Sequence, residues 1–121
     1  MMKFTKLVPN VFYHDIHDGL NLFVNCLGFS IEHDELATVH PFCVIGKDGL
    51  RINLFENGAF AQEHHPEFRL ETDNIEEVYQ TVASNYPEFL HPNLNKITLR
   101  PWGAREFAVM DKQLGVIIQQ W

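Results

Sequence analysis

The sequence lacks the features of a membrane or secreted protein. No apolar run approaches the about 20 residues that a membrane-spanning helix requires, and residues 1–6 contain no long apolar stretch of the kind found in secretory signals. Only two cysteines are present, Cys26 and Cys43, and these are too few for a disulfide framework or a cysteine-rich zinc site. We therefore expect a cytoplasmic protein with two buried thiols and no membrane partner.

Basic residues are also scarce. Lys and Arg number 9 against 16 Asp and Glu, which gives a formal net charge of −7, and the basic residues form no cluster. Binding to nucleic acid depends on basic patches that neutralise phosphates, so nucleic acid is not expected as a partner. An acidic surface favours cationic ligands on approach, although solubility alone also explains the charge.

The remaining composition is typical of a globular domain. The chain has 121 residues, of which 45% are hydrophobic and 21% are charged. This length can bury one core but is short for two independent domains of typical size. The composition also argues against disorder. We therefore predict a single domain that spans residues 1–121.

Two segments have the apolar spacing of amphipathic helices. The first begins after Asp15, a candidate N-cap, and Gly28 provides a stop signal. Its apolar stripe consists of Leu20, Phe23, Val24 and Leu27. The second begins after Asp73, with Glu76 completing an acidic variant of the capping box. Its stripe consists of Ile75, Val78, Tyr79 and Val82.

Strand-like segments surround both helices. Residues 6–13 and 67–72 precede the two helices, and further extended segments follow at 29–34, 39–45, 50–55, 96–100, 105–110 and 116–121. Residues 46–49 are typical of a hairpin turn, 86–95 of a loop or broken strand, and 56–65 of a linker. The pattern predicts an α+β fold of two βαβββ modules, at about 1–57 and 65–121.

Three segments carry a family resemblance: KFTKLVP at 3–9, CLGFS at 26–30 and PWGAREFA at 101–108. Together they resemble the bleomycin resistance proteins of the vicinal oxygen chelate superfamily, which also includes glyoxalases and extradiol dioxygenases. The resemblance implies that the βαβββ modules form a concave mixed sheet around a ligand cleft. The turn at 111–115 is one residue longer than that family's Asp-Pro-x-Gly turn, so either Gln119 or Ile118 faces the cleft in the last strand.

The superfamily's metal-binding positions are poorly suited to a metal in this sequence. Enzymes of the superfamily hold a divalent ion with His and Glu side chains from four strands. By resemblance these positions fall at Val8, Asn53, Glu67 and Gln119. Valine has no donor atom and amides bind transition metals weakly. The seven histidines form no HExxH or other strong zinc motif, so neither a metal site nor a cofactor is predicted.

No catalytic residue is predicted either. The sequence contains no nucleophile elbow, P-loop, dinucleotide fingerprint or CxxC motif. Acid and base residues can nevertheless be assembled from distant positions, so missing motifs do not exclude activity.

Strand alternation selects the residues of a candidate ligand cleft. Leu50, Ile52 and Leu54 suit the helix-covered side of their strand, so Arg51, Asn53 and Phe55 lie on the opposite side. With neighbouring strands and the 101–103 corner, the predicted ligand-binding set comprises Asn10, Phe12, Arg51, Asn53, Phe55, Trp102, Gln119 and Trp121. Aromatic rings would stack on a flat ligand and polar groups would orient it. For Trp102 the alternative is a structural tryptophan that packs under the 101–103 corner, and for Phe12 and Phe55 it is ordinary core packing.

The functional hypothesis is therefore a metal-independent small-molecule-binding protein that sequesters an antibiotic or another aromatic or cationic compound. The resemblance also implies a homodimer with exchanged N-terminal arms, because Pro9 suits an edge or a chain crossing. One alternative is a metal-dependent lyase, isomerase or dioxygenase of the same superfamily. Another is a domain for dimerisation or partner regulation whose cleft is filled by its own side chains.

Overall fold

A computed structural model describes every residue from Met1 to Trp121, and its elements follow the order βαβββ twice. The first half contains β1 (Asn10–Tyr13), α1 (Ile16–Leu20) with a π-helical extension (Asn21–Cys26), β2 (Ser30–Glu35), β3 (Phe42–Lys47), β4 (Leu50–Glu56) and α2 (Gly58–Glu63). The second contains β5 (Glu67–Glu71), α3 (Ile75–Asn85), a 3-10 turn (Pro87–Phe89), β6 (Thr98–Leu99), β7 (Arg105–Met110) and β8 (Gly115–Gln120). The predicted α+β class and the two βαβββ modules are confirmed.

Each half forms its own four-stranded mixed sheet. The strand orders are β1-β4-β3-β2 and β5-β8-β7-β6. In each sheet the outer strand β1 or β5 runs parallel to its neighbour, and the other pairs are antiparallel. The chain divides into two compact units, Met1–His65 (unit 1) and Pro66–Trp121 (unit 2). No helix in either unit has the length and apolar character needed to cross a bilayer.

The first helix begins and ends where the sequence predicts, but it buries a different stripe. The Asp15 side chain accepts a hydrogen bond from the His17 amide at 2.9 Å, and Gly28 has a φ of 79°. Past Leu20 the helix widens to π geometry, which adds a residue to the turn and rotates the following side chains. The buried side of the two segments therefore consists of Ile16, Gly19, Leu22, Phe23 and Cys26.

The cap of α3 lies one residue later than predicted. Asn74, rather than Asp73, accepts a hydrogen bond from the Glu77 amide at 3.2 Å, and its own side-chain amide donates to the Glu77 carboxylate at 3.0 Å. The cap is thus shifted by one position, because Asn and Asp cap helices about equally well and the backbone decides between neighbours. The Asn74 backbone amide donates to Thr72 Oγ1 at 3.2 Å, so the reciprocal bond of a capping box is replaced by one between the two side chains. Within the predicted stripe, Ile75 and Val82 are buried.

Several strand boundaries differ from the prediction. β1 starts only at Asn10, so Pro9 precedes this edge strand, and its carbonyl accepts from the Asn53 amide at 3.0 Å. The predicted linker 56–65 contains α2, whose first turn is capped by Asn57. The predicted hairpin turn is present: Asp48 and Gly49 have φ values of 54° and 81°, which suit a tight turn between antiparallel strands.

Both cysteines are buried, as expected. Burial, with a smaller contribution from the nearby Asp34 carboxylate, raises the pKa of the Cys43 thiol to about 11. Only the thiolate is a good nucleophile, so Cys43 is unreactive near neutral pH. It belongs to the core, where its neighbours Ile45, Ile52 and Leu54 are also buried.

Candidate functional site

The unit 1 sheet has one buried and one partly exposed face. In β4, Ile52 and Leu54 are buried, whereas Arg51, Asn53 and Phe55 point to the other side and keep some exposure. This alternation matches the prediction except at Leu50, which is 49% exposed because it closes the hairpin at the end of the sheet. We call the partly exposed side the open face of unit 1.

The open face brings together five of the eight predicted ligand-binding residues. In the parallel β1–β4 pair, Asn10 is opposite Asn53 and Phe12 is opposite Phe55. Arg51 lies on the same face of β4, two residues before Asn53. Their grouping follows from the period of two along each strand combined with the β1–β4 register.

An aromatic row crosses the open face. Phe55 lies 5.3 Å from Phe42 and 5.5 Å from Phe12 between ring centroids, and both pairs are nearly parallel, with interplanar angles of 13° and 26°. Phe60 of α2 packs edge-on against Phe12 at 5.0 Å. Two histidines flank these rings, and the full row is His33, Phe42, Phe55, Phe12, Phe60 and His64. None of the six side chains is fully buried.

Polar groups border the aromatic row. The side-chain amide of Asn53 donates to the side-chain oxygen of Asn10 at 3.0 Å. Arg51 Nε donates to Glu32 Oε1 at 3.1 Å, in a pair whose side chains are both nearly half exposed. A pair with this exposure contributes about 0–1 kcal/mol to stability. The open face therefore combines flat apolar rings with amide, guanidinium and carboxylate groups that can contact a bound molecule.

Sequence reasoning missed four members of the row: His33, Phe42, Phe60 and His64. Phe42 lies on the partly exposed side of β3 and pairs with Phe55 of β4. The sequence does not show how β3 and β4 are aligned, so this pairing could not be predicted. His33 lies beyond a bulge in β2 that shifts its phase. Phe60 lies in α2 and His64 follows it. In the sequence, the one signal for this helix was the capping residue Asn57 before a short helical segment.

Unit 2 contains a different arrangement, centred on a fully buried carboxylate. Glu106 is 0% exposed, and its Oε2 accepts hydrogen bonds from Gln119 Nε2 at 2.8 Å and from Trp102 Nε1 at 3.2 Å. The Nε atoms of Arg100 and Arg69 lie 3.6 Å and 4.0 Å from its two oxygens. We call these five residues the Glu106 cluster.

The turn before β7 positions Trp102 at the edge of this cluster. The Gly103 amide donates to the Arg100 carbonyl at 2.9 Å, with Pro101 at the second turn position, where its fixed φ is favourable. Gly103 itself has a φ of 101°, which other residues rarely adopt. The Arg100 guanidinium lies 4.9 Å from the centroid of the indole ring. Trp102 nevertheless remains 49% exposed, so the ring is held at one edge and one face without being buried.

The structure also locates the other sequence candidates of unit 2. Gln119 joins the cluster because β8 places it opposite both Glu71 and Glu106, whereas its neighbour Ile118 lies opposite Leu70 and Phe107. Trp121 follows β8 and is 68% exposed. Glu106 was missed as a site residue although it lies in the PWGAREFA segment, because its burial depends on side chains from β5, β8 and the turn.

The superfamily's four metal positions do not supply a metal-binding set. Val8 precedes β1 and has no donor atom. The amides of Asn53 and Gln119 already form hydrogen bonds with Asn10 and Glu106. Glu67 is exposed and lies 3.7 Å from Arg69. Elsewhere the chain contains no group of three or more His, Cys, Asp or Glu side chains arranged to hold an ion, so the residues present do not fit the superfamily's metal.

The fold defined by these elements is that of the glyoxalase, bleomycin resistance and dioxygenase proteins, and comparison with solved structures confirms the resemblance predicted from the three motifs. The bleomycin-binding protein of Streptomyces verticillus, solved with copper(II)-bleomycin, is 18% identical with a TM-score of 0.72, over 98% of this chain and 97% of that one. A superfamily member from Sphaerobacter thermophilus is 17% identical with a TM-score of 0.71, over 100% of both chains.

A bleomycin resistance determinant encoded on the transposon Tn5 is 20% identical with a TM-score of 0.70, over 97% of this chain and 98% of that one. No family model and no curated protein matches the sequence. At these identities the likeness establishes the fold, and a shared fold hosts many functions. The function must therefore be argued from the side chains of the two units.

Proposed function

We propose that this protein binds a small planar aromatic molecule, and that it does so without a protein-bound metal. The observation that carries the proposal is the aromatic row on the open face of unit 1. Rings that pack against one another at 5.0–5.5 Å while none is fully buried form an apolar surface of fixed shape. Small-molecule sites combine such surfaces with a few polar groups that orient the ligand.

The row is expected to supply binding energy chiefly through Phe12, Phe42 and Phe55. Each offset-stacked or edge-to-face pair with a ligand ring contributes about 0.5–1.5 kcal/mol beyond the burial of area. Asn10, Asn53 and Arg51 border the row and would fix the ligand's orientation. In unit 2, Trp102 offers a half-exposed indole that can stack on a ligand in the same manner.

The metal-free part of the proposal rests on donor chemistry. At the superfamily's metal positions this chain offers one carboxylate, Glu67, which is exposed and pairs with Arg69 at 3.7 Å. The two amides at those positions are weak ligands for transition metals and are already engaged in hydrogen bonds. Support for a resistance-type binding role comes from neighbours of the same fold that are bleomycin-binding proteins.

A thermal-shift screen tests the proposal. Metal-stripped protein is heated alone, with metal-free bleomycin, with copper(II)-bleomycin and with panels of neutral and cationic planar aromatics. A ligand at 100 times its Kd stabilises the folded state by about 2.7 kcal/mol, so a binder is expected to raise the Tm by several degrees. Parallel samples receive divalent ions without an organic compound.

The ion samples discriminate between the hypotheses. Saturable stabilisation by one divalent ion alone would contradict the metal-free proposal and favour a metal-dependent enzyme. If no planar compound shifts the Tm, the aromatic row is not a binding site for this class of ligand. Stabilisation by planar compounds without any metal would support the proposal and identify the ligand class.

We further propose that the protein forms a homodimer through its N-terminal segment. Residues Met1, Met2, Phe4 and Leu7 are each more than 80% exposed and belong to no helix or strand. Apolar side chains grouped in this way are typical of surfaces that pack against another chain. The segment is held to unit 1 by Lys6, whose Nζ donates to the Gly49 carbonyl at 2.9 Å.

Sedimentation equilibrium tests the dimer. At micromolar concentration the protein is expected to sediment at about twice the 14.1 kDa of one chain, and deletion of residues 1–7 is expected to shift the equilibrium towards monomer. As a control, Val39→Ser removes an equally exposed apolar side chain from a loop and should leave the mass unchanged. A monomeric full-length chain would disprove the proposal.

A further inference from the structure

The Glu106 cluster contains a buried carboxylate that cannot itself contact a ligand. Glu106 is wholly inaccessible, and its Oε1 forms no hydrogen bond although the Arg100 Nε lies 3.6 Å away. A carboxylate removed from water is destabilising unless neighbouring charges and donors compensate for the lost hydration. Two arginines and two donors surround this one, so its presence imposes a specific arrangement on its neighbours.

One of those neighbours is Trp102, an otherwise exposed residue. An indole that is 49% exposed would normally change rotamer on the picosecond to nanosecond timescale. Here its only donor is directed at a carboxyl oxygen at 3.2 Å, and hydrogen bonds to carboxylates are about twice as strong as those between neutral groups. The Arg100 guanidinium, attracted by the same carboxylate, lies over the ring at 4.9 Å.

We infer that Glu106 is a positioning residue that holds the Trp102 indole in one orientation before any ligand arrives. The buried carboxylate fixes the pyrrole edge of the ring, and Arg100 covers part of the ring surface. The remaining exposed surface of Trp102 is then presented in a constant direction. A ring that is already ordered loses less conformational entropy on binding, so a ligand that stacks on it binds more tightly. This last consequence rests on the proposed function, whereas the fixed ring does not.

A purely structural role for Glu106 predicts something different. Glu106 is opposite Gln119 in the β7–β8 pair, and their side chains are hydrogen-bonded at 2.8 Å. If that bond alone mattered, replacing Glu106 would lower the stability of unit 2 and leave the mobility of Trp102 unchanged below the melting temperature. The two roles are therefore separable by observing the indole itself.

The first experiment uses the unmodified protein. Hydrogen exchange of the two indole N–H groups is followed by NMR on protein labelled with 15N-tryptophan. The N–H of Trp102 is expected to exchange at least about tenfold more slowly than that of Trp121, which corresponds to about 1.4 kcal/mol. Trp121 is an internal reference because it is 68% exposed, a difference from Trp102 too small to cause such protection. Equal exchange rates would overturn the inference.

The second experiment compares variants. In a Trp121→Phe background all tryptophan fluorescence comes from Trp102, and its anisotropy and acrylamide quenching report ring mobility. Glu106→Gln preserves the size of the side chain but removes the charge, so Trp102 is expected to lose anisotropy and to be quenched more readily. Val109→Ala is the matched control: it lies in the same strand, is fully buried and faces away from the cluster. It should lower the Tm without mobilising Trp102.

The outcomes distinguish this inference from the proposed function. Unchanged anisotropy in folded Glu106→Gln, or an equal change in Val109→Ala, would contradict the positioning role. If Glu106→Gln fails to fold, the exchange measurement on the unmodified protein decides. With Trp121 present, Glu106→Gln is expected to weaken the binding of metal-free bleomycin by about tenfold. If the unmodified protein binds no screened compound but protects the Trp102 N–H, the proposed function fails and the positioning role stands.

Discussion

Phe55→Ala is expected to weaken the binding of a planar ligand by about tenfold or more. Phe55 is the one ring of the aromatic row that stacks on two other phenylalanines, Phe12 and Phe42. In the proposed site its removal would delete a ligand contact and would take one packing partner from each neighbour, which keep their contacts with Phe60 and His33. Each lost ring pair is worth about 0.5–1.5 kcal/mol, and about 1.4 kcal/mol corresponds to a factor of ten in Kd.

Calorimetric titration with the compound that gives the largest thermal shift provides the measurement. It should be made well below the Tm, because truncating a partly buried phenyl ring also costs stability, by less than the about 3–5 kcal/mol typical of a fully buried one. Phe55→Leu retains apolar volume but not the ring and should lie between Ala and wild type. Val39→Ala, an exposed apolar residue outside the row, is the control. Equal affinity in Phe55→Ala and Val39→Ala would rule out the row as the binding surface.

Gly19→Ala is expected to destabilise the protein although alanine is the better helix former. A Cβ at position 19 would lie 2.5 Å from the Cε2 and Cζ atoms of Tyr13. That ring is 1% exposed and cannot move aside without disturbing the core. Overpacking of this kind costs about 1–3 kcal/mol, which exceeds the about 1 kcal/mol that alanine gains in helix propensity.

Gly115→Ala is the matched control for this substitution. Gly115 starts β8 and has no atom within 4 Å of a Cβ built on it, and its φ is not positive. Alanine there should be neutral or stabilising by up to about 1 kcal/mol. Chemical denaturation should therefore show a lower free energy of unfolding for Gly19→Ala and an unchanged or higher one for Gly115→Ala. If Gly19→Ala were as stable as Gly115→Ala, the close approach between Gly19 and Tyr13 would not exist in solution.

The sequence predicted features that depend on neighbouring residues. Asp15 caps its helix, Gly28 ends it at a positive φ, and residues 46–49 form the hairpin turn, because caps and turns are determined within a few residues. The faces of β4 were predicted for the same reason, since side chains alternate along any strand. These local rules also grouped Asn53 with Phe55 on the partly exposed side of β4.

Other features depend on which residues of two strands pair, or on a change of helix geometry, and the sequence alone does not specify these. Phe42 enters the aromatic row because it pairs with Phe55 across β3 and β4, and the sequence does not specify which residues of two strands are opposite. The π-helical turn after Leu20 changed which side of the first helix is buried. The predicted register of the last strand had two alternatives, and only the β7–β8 pairing placed Gln119 beside Glu106.

By itself the sequence determined the two βαβββ modules, the Asp15 cap of the first helix and a set of aromatic and amide candidates, because these follow from local propensity and periodicity. The tertiary structure decided that five of those candidates share the open face of unit 1, and that Trp102 and Gln119 both bind the buried Glu106 carboxylate. Burial and hydrogen bonding between residues distant in sequence depend on which strands become neighbours. Long-range pairing therefore turned isolated candidates into an aromatic row and a charged cluster.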